Sequence, residues 1–287
     1  MPTLPLSNRA SLVGPPEFSL LKFLLRNSDS YELVPKKKIQ EETEFNPTQL
    51  DYYLTKLLKL KLIYREKNLG YDAYKINFSG IDVISIKKLY ESRILKSLST
   101  IIGEGKESEV YAGYDFDDNK IVIKFHRIGR TSYKSLRRVN KDPYGRKSWV
   151  RLSIENAEAE YKALTCMWKN GARVPRPIGL GVNAIAMELI DGVQLSEKPE
   201  LGDPEKVLDE IISTIKIAYT CCKIIHGDLS PYNIMVTNDI PYIIDWPQSS
   251  RASEETLYRD LSHIISFFEK EYEIVREIPQ ILSYIRG

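Results

Sequence analysis

Two spacings of apolar residues alternate along this chain. In its N-terminal third, apolar positions recur at helical intervals over 18–25, and again over 50–58, where Leu50, Leu54, Leu57 and Leu58 share one face. Asn46-Pro47 just ahead reads as an N-cap followed by a first-turn proline, and 36–44 can form a short helix led in by Val34-Pro35. The pattern then becomes strand-like over 62–66 and 71–78, with Lys67-Asn68-Leu69-Gly70 as the turn between. Three helices followed by a hairpin predict a winged helix, a variant of helix-turn-helix. In it 47–59 is the recognition helix. Its outward residues are Thr48, Gln49, Tyr52, Lys56 and Lys59, suited to phosphates or base edges. The alternative is that the module binds protein or only braces its neighbour. A helix over about 79–97 connects it to a second domain.

Beyond that helix come strands over 98–103, 109–114 and 120–125, the last two joined by Asp117-Asp118-Asn119. Residues 153–170 are helical, with Ala157, Tyr161, Leu164 and Trp168 on one face. Gly171 ends this helix, and Pro175 and Pro177 prevent its continuation. A buried strand over 184–190 and a long apolar helix over 204–223 come next, and two helices, near 257–268 and 273–285, close the chain. The expected fold is α+β. A flexible leader spans 1–16 and a winged helix with its connecting helix spans 17–92. A sheet-bearing lobe then occupies 93–190 and a helical lobe 191–287, a bilobal arrangement.

Composition leaves that picture intact. The 287 residues are 43% apolar and 28% charged, as in an ordinary globular protein with room for two domains. No apolar run approaches a membrane span, so no membrane partner is expected. Residues 1–16, rich in Pro and Ser, lack the basic start and apolar block of a secretory signal. Cys166, Cys221 and Cys222 offer neither a disulfide framework nor zinc spacing. Cys221 and Cys222 fall in an apolar helical run, so the expectation is reduced core thiols and a cytoplasmic protein. Charge changes the picture in one place. The net charge is only +2, yet Arg127, Arg130, Lys134, Arg137, Arg138, Lys141, Arg146, Lys147 and Arg151 crowd one segment against the single acid Asp142. This basic loop, 126–151, is expected to be flexible and to suit a polyanion.

Candidate chemistry runs in a fixed order along the second half. Gly103-Glu104-Gly105-Lys106-Glu107-Ser108 lies between two strands, where missing side chains let backbone N–H groups approach phosphates. It is not a Walker loop, because no Gly-Lys-Ser/Thr follows at the required spacing. Lys124 ends the apolar run Ile121-Val122-Ile123, a position costly for an ammonium unless it meets an anion. Glu160 is the preferred helix partner for Lys124, with Glu155 and Glu158 as competitors that helix phase does not separate. Met187-Glu188-Leu189-Ile190 ends a strand where a kinase hinge would sit. His226-Gly227-Asp228-Leu229-Ser230-Pro231-Tyr232-Asn233 and then Asp245 complete the series. Phosphoryl transfer of the protein-kinase type needs such a trio: an Asp at the attacking hydroxyl, and an Asn and a second Asp on magnesium. His226 is expected to brace the loop rather than move a proton.

Together these motifs, with Lys124-Phe125-His126, Asp245-Trp246-Pro247-Gln248 and Gly129-Arg130-Thr131-Ser132-Tyr133, resemble the RIO family of atypical serine/threonine protein kinases, type 2 branch. The resemblance implies a truncated protein-kinase-like domain that binds ATP and Mg2+, with Mn2+ as an alternative ion. By the same resemblance Gly103, Glu104, Gly105, Lys106, Glu107, Ser108, Val110, Val122, Lys124, Glu160, Met187, Glu188 and Ile190 surround the nucleotide. Asn233 and Asp245 hold the metal, and Asp228, Lys124 and Asp245 are catalytic. It further implies a role in small ribosomal subunit maturation, with rRNA and ribosomal proteins of the subunit precursor as partners of the winged helix and basic loop. Phosphoryl transfer would go to serine or to the enzyme's own aspartate. Gly227 stands where ordinary kinases carry arginine, and Asp-Phe-Gly becomes Asp245-Trp246-Pro247. The residues from Asp245 to 287 are expected to be too few for the activation segment and helical subdomain that grip a peptide. Two alternatives are a small-molecule kinase of the aminoglycoside or choline type, and a winged-helix regulator with a nucleotide-sensing kinase fold.

Overall fold

A computed structural model describes residues 4–68, 70–128, 148–246, 250–251 and 253–287. They form two compact units: Met1–Ala157 with Gly179–Ala186, and Glu158–Ile178 with Met187–Gly287. No described helix is long and apolar enough to cross a membrane.

The first unit opens with α1 (Leu6–Ser11) and α2 (Pro15–Asn27). The leader expected to be flexible therefore carries a helix, because Leu6 and Ala10 bury one face of it. Next come β1 (Val34–Pro35), α3 (Lys36–Glu42) and α4 (Pro47–Lys59), then the hairpin β2 (Ile63–Asn68) and β3 (Tyr71–Ile76), in sheet order β1-β3-β2. Asn46 caps α4 reciprocally with Gln49: each backbone N–H donates to the other's side chain, at 2.9 and 3.1 Å. Leu50, Leu54 and Leu57 are buried as the spacing requires. The outward face is smaller than expected. Gln49 is committed to the cap, and Lys56 donates to the buried Glu17 at 2.6 Å. Thr48, Tyr52 and Lys59 remain exposed.

Helix α5 (Phe78–Glu91) leaves this module. Asn77 starts it, accepting from the Gly80 N–H at 3.0 Å and donating to the Lys61 carbonyl at 2.9 Å. A Cβ at Gly80 would sit 2.4 Å from the Leu62 carbonyl oxygen, so only glycine allows this approach. The helix ends earlier than its apolar pattern suggested. Arg93, with a left-handed backbone at φ 56°, turns the chain into the next strand. Strands β4 (Ser97–Glu104), β5 (Ser108–Tyr114), β6 (Lys120–His126), β7 (Pro177–Leu180) and β8 (Ala184–Glu188) make a sheet ordered β4-β5-β6-β8-β7. Most of the basic loop, including Gly129 to Tyr133, lies outside the described residues, as do Pro247 and Gln248.

Helix α6 (Trp149–Lys169) begins before the expected residue 153. Its buried stripe is Val150, Ser153, Ala157, Glu160, Leu164 and Met167, spaced by three and four. Trp168, expected on that face, is 46% exposed. The phase is shifted because two stripe positions are polar.

In the second unit, β9 (Val193–Gln194) precedes α7 (Pro204–Thr220), whose first turn is capped by Asp203 accepting from the Lys206 N–H at 3.0 Å. β10 (Ile224–Ile225), β11 (Ile234–Thr237), β12 (Ile240–Ile243) and β13 (Ser250–Arg251) come next, then α8 (Glu254–Tyr272) and α9 (Ile278–Arg286). Two small sheets, ordered β12-β11-β9 and β10-β13, accompany a core that includes Leu208, Ile211, Leu257, Leu261 and Phe268. A disulfide joins Cys166 of α6 to Cys222, just beyond α7, and Cys221 is free and exposed. The expectation of no disulfide, with Cys221 and Cys222 as reduced core thiols, is thereby corrected. Cys221 is the C-cap of α7, so the Cys221-Cys222 pair lies at the helix end rather than within an apolar face.

Candidate functional site

In the first unit the turn 103–108 is closed by the Gly105 N–H donating to the Ser108 carbonyl at 2.9 Å. The fold does not itself demand its glycines. A Cβ on Gly103 or Gly105 would meet its nearest neighbour at 3.6 or 3.5 Å, an ordinary contact. Glycine there leaves the backbone N–H groups uncovered by a side chain, which an approaching phosphate requires. Across the strands Gly103 pairs with Val110, Val110 with Lys124, and Ala112 with Val122. Opposed residues in a sheet point to the same face, as do positions two apart. Gly103, Val110, Val122 and Lys124 thus share one face, with Lys124 only 5% exposed.

The second unit carries the other group. Asp228 and Asn233 lie on the loop between β10 and β11, and Asp245 follows β12. The Asn233 amide nitrogen donates to the Asp228 carbonyl at 2.8 Å, which leaves its amide oxygen for another partner. The Asn233 carbonyl accepts from the Ile244 N–H at 2.9 Å, bringing Asp245 alongside. Asp245 adopts a left-handed backbone, φ 65°, unusual for a non-glycine residue. Its neighbours are pinned. Trp246 is buried, with its backbone N–H on Glu160 Oε1 at 3.2 Å and its indole N–H on the Ile243 carbonyl at 3.1 Å. Asp228 and Asp245 themselves are exposed. An amide oxygen and a carboxylate are hard donors of the kind magnesium takes, with water and phosphate oxygens completing its shell.

His226 is buried and holds this loop from inside. Its Nδ1 accepts from the Asp228 N–H at 3.3 Å, and its Nε2 donates to the Ile244 carbonyl at 3.0 Å. Burial holds its pKa below the ordinary imidazole value, against the bond to Ile244 and the carboxylates Asp260, Asp245 and Asp228. The bracing role expected for it is what the bonds describe.

Three residues of α8 escaped the sequence pattern. Buried Asp260 accepts from the Gly227 N–H at 2.8 Å and the Leu229 N–H at 3.3 Å, clamping both sides of Asp228. Arg259 donates to the Gly227 carbonyl, and His263 Nδ1 lies 3.1 Å from the Leu229 carbonyl. The available signal was a carboxylate within the apolar stripe Leu257, Leu261, Ile264 and Phe268.

Among the helix acids Glu160 is 1% exposed, while Glu155 pairs with Arg151 at the surface and Glu158 is half-buried. Met187 is buried. The Glu188 N–H donates to the Arg176 carbonyl at 2.9 Å, and its carboxylate accepts from the Arg176 N–H at 3.1 Å, so that N–H is committed within the chain. Ile190 lies just past β8.

A glycine turn on strands whose shared face carries a buried lysine, and an Asp–Asn loop with a further Asp after the next strand pair, are the residue types that protein-kinase-like phosphoryl transfer calls for. Comparison with known proteins agrees. The RIO domain model matches residues 109–281, and the Rio2 N-terminal model matches 12–93. The serine/threonine-protein kinase rio2 of Schizosaccharomyces pombe is 29% identical over 270 residues, covering 92% of this chain and 78% of that protein. The RIO2 kinase of Saccharomyces cerevisiae is 30% identical, covering 89% of this chain and 63% of its own length. The RIO-type kinase Rio2 of Methanocaldococcus jannaschii is 31% identical, covering 89% of this chain and 98% of its own. A crystal structure of a Rio2 kinase–ADP/Mg2+–phosphoaspartate complex from Chaetomium thermophilum superposes with a TM-score of 0.78. It is 25% identical and covers 94% of this chain and 84% of that one. The chain belongs to the RIO family of serine/threonine-protein kinases, in its Rio2 branch. Its N-terminal module is the winged helix of that branch, and the two alternative functions weighed on the sequence give way to this membership.

Proposed function

We propose that this kinase uses ATP and magnesium to transfer phosphate to serine or to its own Asp245, and that it does so on precursors of the small ribosomal subunit. ATP supplies the phosphoryl group, and the ion neutralises the charge of its phosphates. Lys124 and the 103–108 turn hold the phosphates, and Val110, Val122, Met187, Glu188 and Ile190 provide the surroundings of the base. Asn233 and Asp245 bind the metal through oxygen. Asp228 orients the attacking group and takes its proton. Glu160 fixes Trp246 and through it the neighbouring Asp245.

The observation that supports this reading is the bonding of Asn233 to the Asp228 carbonyl and of its own carbonyl to the Ile244 N–H, which ties the 228–233 loop to the strand end that precedes Asp245. The exposed carboxylate of Asp245 on strained backbone supports it as an acceptor in its own right. The partner is inferred from charge. RNA is a polyanion, and the basic segment and the outward Thr48, Tyr52 and Lys59 suit it. A cytoplasmic location rests on that partner and no longer on the cysteines.

Labelled ATP supplied with magnesium, with and without subunit precursor, tests the reading. Hydroxylamine should release label held on Asp245 as an acyl phosphate and leave phosphoserine intact. Asp228→Ala should lower turnover by roughly a hundredfold or more while ATP still binds, the scale of a lost general base. Undiminished turnover in that variant refutes the assignment.

A further inference from the structure

The first unit contains a second ionic cluster that none of these assignments uses. Asp82 lies on α5, the helix that closes the winged-helix module, and is 0% exposed. One carboxylate oxygen accepts from Arg127 Nη2 and the other from Asn183 Nδ2, the latter at 2.8 Å. Asn183 is itself fixed, its side chain accepting from Ser85 Oγ at 2.8 Å and its carbonyl from the His126 N–H at 2.7 Å. Burial pushes the Asp82 carboxyl above the usual carboxylate range, against the pull of Arg127. The anchor is therefore rigid and its charge depends chiefly on one guanidinium.

Arg127 faces the other way as well. Its Nη1 bonds the carboxylate of Glu109, which stands on β5 between Ser108 and Val110. Its backbone N–H donates to the Glu107 carbonyl at 2.6 Å, inside the glycine turn. A planar guanidinium can span two carboxylates at fixed angles, which a lysine ammonium cannot. A buried ion pair serving stability alone would need no second carboxylate on the rim of a phosphate loop, since such pairs contribute little against apolar replacements.

We propose that Arg127 is a positioning residue for the phosphate-binding turn, holding Glu107 and Glu109 from an anchor, Asp82, that the winged-helix module supplies. This rests on the assignment of the 103–108 turn to ATP phosphates. The N-terminal module then helps set nucleotide affinity as well as offering a surface to partners.

The test measures KM for ATP, kcat for hydrolysis and melting temperature in the full chain. The variants are Arg127→Lys, Asp82→Asn, Glu109→Gln and the Asp82/Glu109 double substitution. Each single variant should raise KM for ATP on the order of tenfold, the scale of one lost charge-assisted bond, with kcat changed by less than about twofold. The double substitution should cost less than the product of the two singles, because both act through Arg127. Glu109 is 18% exposed, so Glu109→Gln reports even where the Asp82 variant fails to fold. Variants that melt earlier but keep the wild-type KM overturn the proposal and leave the kinase reading standing. A wild-type chain that neither binds nor hydrolyses ATP removes both.

Discussion

Asp228 is exposed, yet its position is decided by groups that are not. His226 takes its backbone N–H, and Asp260 takes the N–H groups on either side of it. Replacing Asp260 with Asn turns one acceptor into a donor facing a backbone N–H. Asp260→Asn should therefore cost about 1.5–3 kcal/mol per charged bond lost, read from chemical unfolding, and lower kcat with little change in ATP binding. His226 makes a pH prediction. Its pKa in the folded chain lies below that of the unfolded chain, so the unfolded state takes the proton first as pH falls. The stability contributed by neutral His226 is complete above the ordinary imidazole value near 6.5 and declines as pH drops below it towards the depressed folded value. Melting temperatures from about pH 7 to about pH 5 should fall in the wild type and fall less in His226→Gln. Equal slopes would show that another group governs the acid limb. Sequence alone displayed His226, Asp228, Asn233 and Asp245, because their spacing is set by one short loop and the strand pair after it. Asp260 was hidden: its role needs the fold of α8 against a loop far back in the chain, and the chain shows only an acid in an apolar stripe.

At the scale of elements, boundaries set by local chemistry were legible and phases set by packing were not. The Asn46 cap follows from short-range rules and stands where the pattern put it; the β2–β3 hairpin does form, but Lys67 and Asn68, expected in its turn, pair within β2, and β3 stops at Ile76. Helix α6 does not, since Ser153 and Glu160 occupy its buried stripe and pull the apparent apolar face towards Trp168. Ser153 has bonds to satisfy it there, to the Trp149 carbonyl at 2.8 Å and from the Ile128 N–H at 3.1 Å. α1 escaped notice because a helix so short gives too few periodic positions to register. The start of α5 is tightly constrained through Gly80. Gly80→Ala should destabilise the winged helix by about 1–3 kcal/mol, the usual scale of overpacking, visible as a lower denaturant midpoint. An unchanged midpoint would mean that the Lys61–Leu62 connection yields freely.

Across the chain a covalent link joins segments distant in sequence. Cys166 and Cys222 are 56 residues apart, and the chain-entropy model gives such a loop about 4 kcal/mol of stabilisation as an upper figure. Reduction, or Cys166→Ser, should lower the melting temperature. No change on reduction would show that packing of residues 158–169 within the second unit already supplies that order. The kinase plan and the N-terminal module were both legible because each rests on motifs in a fixed order along the chain. The crosslink was not, because the neighbouring Cys221 makes the pairing ambiguous on paper and the separation in sequence says nothing of which helices meet.

The clamp on the catalytic loop also has a consequence in time. Ribosomes deliver residues 226–233 well ahead of Arg259, Asp260 and His263, which hold them. A nascent chain passes through a stage in which Asp228 exists without the groups that clamp its neighbours. Competence for phosphoryl transfer then waits until α8 has emerged and docked.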